Sequence, residues 1–169
     1  MDLQNLALYI DDRVEEGVFR VHRDLFADPA IFELEMRHIF EATWNFVALE
    51  SQLAKPGDFV TTHIGRTPVL VSRTPQGKLG AFINACRHKG ATVCRMTEGN
   101  AKFHVCPYHG WAYDAAGRNV DIKDRAAGAY AAAFEQDNHD LLPVARLGSY
   151  GGLVFASLSA DVPPLEEWL

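Results

Sequence analysis

Two short groups of metal-binding side chains constrain this 169-residue chain more than any other feature: Cys86-Arg87-His88 and Cys106-Pro107-Tyr108-His109. Each group offers one thiolate and one imidazole, and 17 residues separate His88 from Cys106. A ligand pair spaced by one or two residues can turn both side chains toward one metal position from a single loop. For two such loops to act together, the fold must hold them side by side, at the tips of adjacent hairpins. Asn84-Ala85 leads into the first pair and His104-Val105 into the second. Gly90 and Gly110 follow the histidines and permit the tight turns that ligand loops need. Pro107 stiffens the second loop.

Two Cys on one iron and two His on the other form the donor set of a Rieske [2Fe–2S] centre. Cys86, His88, Cys106 and His109 are the candidate ligands, and the chemistry they imply is one-electron transfer. Charge explains the mixed set. The oxidised core carries two positive charges, so four thiolates leave a net −2, whereas two thiolates and two neutral imidazoles leave zero. An electron enters the less negative centre more easily, which places such sites at roughly −150 to +300 mV against about −400 mV for plant-type ferredoxins. Zinc accepts the same donors and is the rival, as a structural module. The second pair, however, lacks the His-x3–5-His spacing of a zinc finger, and the chain is large enough to fold without a metal.

Apolar residues make up 48% and charged residues 22%, a globular balance. The net charge of −6 argues against a nucleic-acid partner. No apolar run is long enough to span a bilayer, and the N-terminus lacks the basic and apolar segments of a secretory signal. No GxGxxG or P-loop pattern points to a nucleotide. With three cysteines, of which two are candidate ligands, no pair remains for a disulfide. These features suggest a cytoplasmic protein without membrane contact. Cys94 reads as a strand-like core residue. His104 reads as structural, and His22, His38, His63 and His139 are isolated. Arg87, Lys89 and Arg95 read as solvated loop charges or as a basic rim that docks an acidic partner surface.

Along the chain, residues 3–15 are weakly helical. A stronger helix starts at Asp28, a capping residue before Pro29, with Phe32, Met36, Ile39 and Phe40 at helical spacing and an end near residues 42–44. Thereafter short β-type runs alternate with Gly/Pro turns: residues 45–50, 58–64, 67–73, 79–84, 101–106, 111–114 and 152–157. Gly65-Arg66 and Thr74-Pro75-Gln76-Gly77 are tight turns. The Ala-rich residues 125–138 are a loop or a short helix. The expected fold is mainly β with N-terminal helices, an antiparallel β-sandwich whose hairpin loops carry the ligands.

The stretch Ala81-Phe82-Ile83-Asn84-Ala85-Cys86-Arg87-His88-Lys89-Gly90, then Val105-Cys106-Pro107-Tyr108-His109-Gly110-Trp111, resembles the large (alpha) subunit of aromatic-ring-hydroxylating dioxygenases. Glu35-Met36-Arg37-His38-Ile39-Phe40-Glu41 with Trp44 and Glu50-Ser51 is similar to the benzoate, toluate and anthranilate branch. So are Ser149-Tyr150-Gly151-Gly152-Leu153-Val154-Phe155 and Ala160-Asp161-Val162-Pro163-Pro164-Leu165. The family usually has Arg after the first ligand His, where this chain has Lys89. That substitution keeps the charge and loses the planar fork. Respiratory Rieske loops carry two further cysteines, which are absent here.

The resemblance implies a helical segment over residues 1–43, a Rieske domain over 44–160 and the start of a linker over 161–169. It implies reduction by a reductase or ferredoxin, and association with other oxygenase subunits (alpha, possibly beta). The electron then passes to a mononuclear non-haem Fe(II) in a C-terminal domain, which adds both atoms of O2 to a benzoate-type ring. No second His pair with a carboxylate suits that iron here; Asp137-Asn138-His139-Asp140 offers one His. The expectation is therefore the electron-input piece of an oxidoreductase, not competent alone for ring hydroxylation. A free-standing Rieske ferredoxin is the alternative.

Overall fold

The structure, a computed structural model, describes residues 8–169. A hairpin comes first: β1 (Ile10–Arg13) pairs antiparallel with β2 (Val18–Val21), Ile10 opposite Val21 and Arg13 opposite Val18. The helix expected over residues 3–15 is thus replaced by a strand from Ile10, and its residues 3–7 lie outside the described ones. Val18-Phe19-Arg20-Val21 is rich in strand-forming residues, and pairing with it overrides a weak helical preference.

The next helix starts as expected. Asp28 caps α1 (Pro29–Glu35), its carboxylate accepting from the Ala30 N–H at 2.8 Å. The chain then continues as a π-helical stretch, Met36–Phe40, short of the expected end. Ile31 and Met36 are buried, while Phe32, Ile39 and Phe40 stay exposed, so the helical apolar stripe meets the core only in part.

Ten strands follow: β3 (Asn45–Leu49), β4 (Asp58–Ile64), β5 (Thr67–Arg73), β6 (Leu79–Ile83), β7 (Glu98–Asn100), β8 (Phe103–Val105), β9 (Ala112–Asp114), β10 (Asn119–Asp121), β11 (Arg146–Tyr150) and β12 (Leu153–Ser157), with a last turn of helix, α2 (Leu165–Trp168). They form three antiparallel sheets in the orders β11-β12-β3, β6-β5-β4-β7 and β10-β9-β8. All the strands expected from sequence are present, with ends within two residues. The additional β7, β10 and β11 are short or Gly-interrupted and become strands because a neighbour pairs with them.

The middle sheet is covered on both faces, and strand alternation sorts its side chains into two cores. Val69 and Val71 of β5 face a core shared with Val47, Val60, Ile64, Val154 and Ala156. Leu70 and Phe59 face the other core, which holds Cys86, Cys106, Trp111 and Tyr113. The second core is the floor of the candidate site. Residues after 160 fold back on the body: Val162 and Leu165 pack with Trp44 and Phe155, and the Trp44 indole N–H donates to Pro163 O at 2.9 Å. Among the described residues no helix is long and apolar enough to cross a membrane.

Candidate metal centre

Both Cys–His loops close with the same backbone pattern. In the first, the Cys86 N–H donates to Ala91 O and the Gly90 N–H to Cys86 O, each at 2.8 Å. In the second, the Cys106 N–H donates to Trp111 O at 2.8 Å and the Gly110 N–H to Cys106 O at 3.0 Å. The shared frame is a Cys, a Gly four residues on and a closing carbonyl five residues on. The glycines hold φ of +72° and +75°, a region where a Cβ is strained. Within equal frames the histidines take different places, second after Cys86 and third after Cys106. Their rings meet at 4.6 Å between centroids with planes 69° apart.

The two loops are reached differently. The second is the tip of the β8–β9 hairpin, where Val105 pairs with Ala112. The first is not a hairpin tip, because β6 and β7 are opposite edges of one sheet and the connection must cross its end. Buried Asn84 ties that crossover together: its Nδ2 donates to Cys94 O at 2.7 Å, and its Oδ1 accepts from the Cys94 N–H at 2.9 Å. Sequence reasoning missed this role. An Asn ending a strand just before a ligand loop is the signal that points to it.

Burial divides the four donors. Cys86 and Cys106 are 4% and 1% exposed, while His88 and His109 lie half-buried above them. Burial pushes the Cys86 thiol up from its ordinary value, with the Tyr113 hydroxyl acting in the other direction. That hydroxyl lies 3.2 Å from Cys86 Sγ and accepts the Arg87 N–H at 3.1 Å. Since it already accepts from Arg87, its own proton is free to point at the sulfur. Tyr113 is completely buried, and burial foremost raises its pKa, so it stays a neutral donor.

Whether these residues suit an iron–sulfur group is tested by one orphaned atom. His88 Nδ1 is buried and has no hydrogen-bond partner among the described residues. Such an atom is costly unless something occupies it. Burial, then the neighbouring His109 and Lys89, hold the His88 ring below its usual pKa, hence neutral, the form that binds a metal. Among the described residues no three or more His, Cys, Asp or Glu converge on one point that could hold an ion. The donors sort instead into a thiol pair and an imidazole pair, the layout that two irons require. They fit.

Elsewhere the structure revises details. Cys94 is buried as expected, but in an irregular segment and not on a strand. His104 lies in the core with its ring edge-on to Phe59 at 4.9 Å, and burial lowers its pKa. His139 is not isolated: it meets Trp111 at 5.3 Å and stacks on Phe134 at 4.2 Å. Arg87, Lys89 and Arg95 are exposed around the loops.

Residues 43–143 match the family model described as the Rieske [2Fe–2S] domain. The chain belongs to this family. Similar proteins include the toluate 1,2-dioxygenase subunit alpha of Pseudomonas putida, 46% identical over 95% of this Rieske chain and 37% of the relative. The anthranilate 1,2-dioxygenase large subunit of Acinetobacter baylyi is 44% identical over 95% of this chain and 34% of its own length. Among solved structures, naphthalene 1,2-dioxygenase from Rhodococcus sp. bound to indole superposes with a TM-score of 0.84. It is 34% identical, over 98% of this chain and 37% of that one. The Rieske chain thus spans about a third of the length of the relatives it matches.

The Tyr113 hydrogen bond carries a prediction for this Rieske chain. A donor to a ligand sulfur favours the reduced, more negative state. Tyr113→Phe is expected to lower the reduction potential of the loaded protein by about 1 kcal/mol, on the order of 50 mV for one electron. Film voltammetry checks it, and an unchanged potential means that the hydroxyl does not act on the ligand sulfur.

Proposed function

We propose that Cys86, His88, Cys106 and His109 hold a Rieske [2Fe–2S] cluster, and that the chain is the electron-input part of an aromatic-ring-hydroxylating dioxygenase alpha subunit. The observation that carries this is the pair of equivalent loops, with buried thiols below and half-buried imidazoles above. When bound, the cluster supplies reversible one-electron storage at a potential above that of an all-thiolate centre. Cys86 and Cys106 take the inner positions, where the apolar core keeps water from the sulfurs. His88 and His109 take the outer positions, so the imidazole side faces a redox partner. Tyr113 and the loop N–H groups steady the thiolates.

The donor in this reading is a reductase or ferredoxin, with exposed Arg87, Lys89 and Arg95 around the loops available to an acidic partner. The acceptor is a mononuclear iron in the full oxygenase. The substrate class is an aromatic carboxylate, because relatives named for toluate and anthranilate dioxygenation are 46% and 44% identical to this chain, against 34% for one named for naphthalene.

Anaerobic reconstitution with iron and sulfide tests the ligand reading. Two irons and two labile sulfides per chain are expected, with a paramagnetic resonance signal after dithionite reduction. Tight stoichiometric zinc with no reduced-state signal overturns it. For the partner reading, the reductase of a benzoate-type dioxygenase with NADH should reduce the loaded chain, more slowly as salt rises. Salt-independent rates count against docking by charge.

A further inference from the structure

We infer that the Ala-rich excursion between β10 and β11 is an aromatic clamp that positions the His88 imidazole through Trp111. The inference rests on the cluster reading above and deepens it. Trp111 is 2% exposed and lies parallel to the His88 ring, 5.0 Å between centroids and 10° between planes. Phe134 and His139, both from the excursion, meet the indole edge-on at 5.8 Å and 5.3 Å. These two rings stack on each other at 4.2 Å, and Tyr130 stacks on Phe134 at 4.4 Å.

The excursion is fastened to hold those rings. The Tyr130 hydroxyl donates to Lys123 O at 3.1 Å, Arg125 pairs with Glu135, and His139 Nε2 lies 2.8 Å from Phe134 O. At its far end Asp140 accepts the Asn119 N–H at 2.7 Å, and the Leu141 N–H donates to Gly117 O at 2.8 Å. Across residues 123–138 only Arg125, Tyr130 and Phe134 are even partly buried. Tyr130 and Phe134 pack against the second core, and the rest of the segment contributes little to it. Its ordered contacts lead to Trp111, and through Trp111 to His88.

An imidazole ligand is usually oriented by a hydrogen bond from its other ring nitrogen. The buried Nδ1 of His88 has no hydrogen-bond partner among the described residues, and the face of the ring lies against the Trp111 indole. The negative π face of the indole favours positive charge on the facing ring. The stack therefore favours the oxidised state of the loaded protein, and loosening it eases reduction. Trp111 is a positioning residue in this account, and Phe134 acts through it.

The test uses the cluster-loaded chain with Phe134→Ala, Trp111→Leu and the conservative Trp111→Phe. Phe134→Ala is expected to keep its iron and sulfide but to broaden the imidazole nitrogen couplings in pulsed paramagnetic resonance. Trp111→Leu is expected to shift the one-electron equilibrium toward the reduced form by about two- to tenfold, the size of an aromatic pair, with Trp111→Phe between it and the native chain. Native couplings and equilibrium in Phe134→Ala and Trp111→Phe, with only thermal stability lowered, overturn the clamp. If Trp111→Leu fails to load, the Phe134→Ala result decides. The cluster-free chain reads the same stack by NMR. Trp111 should shift the His88 Cε1–H by its ring current, and Phe134→Ala should reduce that shift. Absence of the shift in the native chain overturns the clamp even where the cluster loads, whereas failure of the native chain to load overturns the cluster reading itself.

Discussion

Replacing Cys106 or His88 by alanine is expected to abolish the assembled cluster while leaving the chain folded. In the proposed cluster each substitution takes away one of only two protein donors to an iron. At Cys106 no replacement can arrive easily, because the site is 1% exposed and walled by Leu70, Phe59 and Trp111. The fold itself loses only a small buried side chain, worth about 1 kcal/mol as a cavity of roughly one sulfur atom. His88 is half-buried at the loop surface, and its loss costs the fold less still. Circular dichroism should therefore match the native chain, with iron and labile sulfide near zero. Either variant with full iron and sulfide makes the ligand assignment wrong.

Asn84→Ala is expected to destabilise the fold strongly for the loss of one small polar side chain outside the ligand set. The side chain is 2% exposed and satisfies both backbone groups of Cys94, at 2.7 Å and 2.9 Å. Without it a buried N–H and a buried C=O lose their partners together, at a cost of about 2–4 kcal/mol. For a chain of this size that is a fall in Tm of roughly 5–15 °C. Asn84→Asp should not rescue it, since a carboxylate can accept from the Cys94 N–H but repels the Cys94 carbonyl. Thermal unfolding of the cluster-free chain checks this. A change under about 2 °C, on the scale of half a kcal/mol, would show that the crossover holds its shape without Asn84.

These two residues differ in how visible they are before folding. Cys106 is conspicuous because thiols and imidazoles at close spacing have few bland explanations. Asn84 is one polar residue at a strand end, and its partner Cys94 lies across a loop of undefined path. The same contrast runs through the fold. β4 and β5 were legible to the residue, since turn residues bound apolar runs whose length matches a strand. The hairpin of β1 and β2 was not. Ile10–Arg13 carries two aspartates and becomes a strand only because Val18–Val21 is there to pair with it. His139 looked isolated for a similar reason. The rings it touches, Trp111 and Phe134, are drawn together by an excursion whose sequence is rich in alanine.

The sequence alone determined the strand-rich class and the two glycine turns and named the proposed donors, because each follows from residue chemistry within a few positions. Only the tertiary structure decided that the first loop is a crossover and the second a hairpin tip. It also decided that the thiols lie under the imidazoles and that Trp111 lies flat against His88. Those are relations between segments far apart in the chain. Pairing across a sheet sets them, and no local propensity records it.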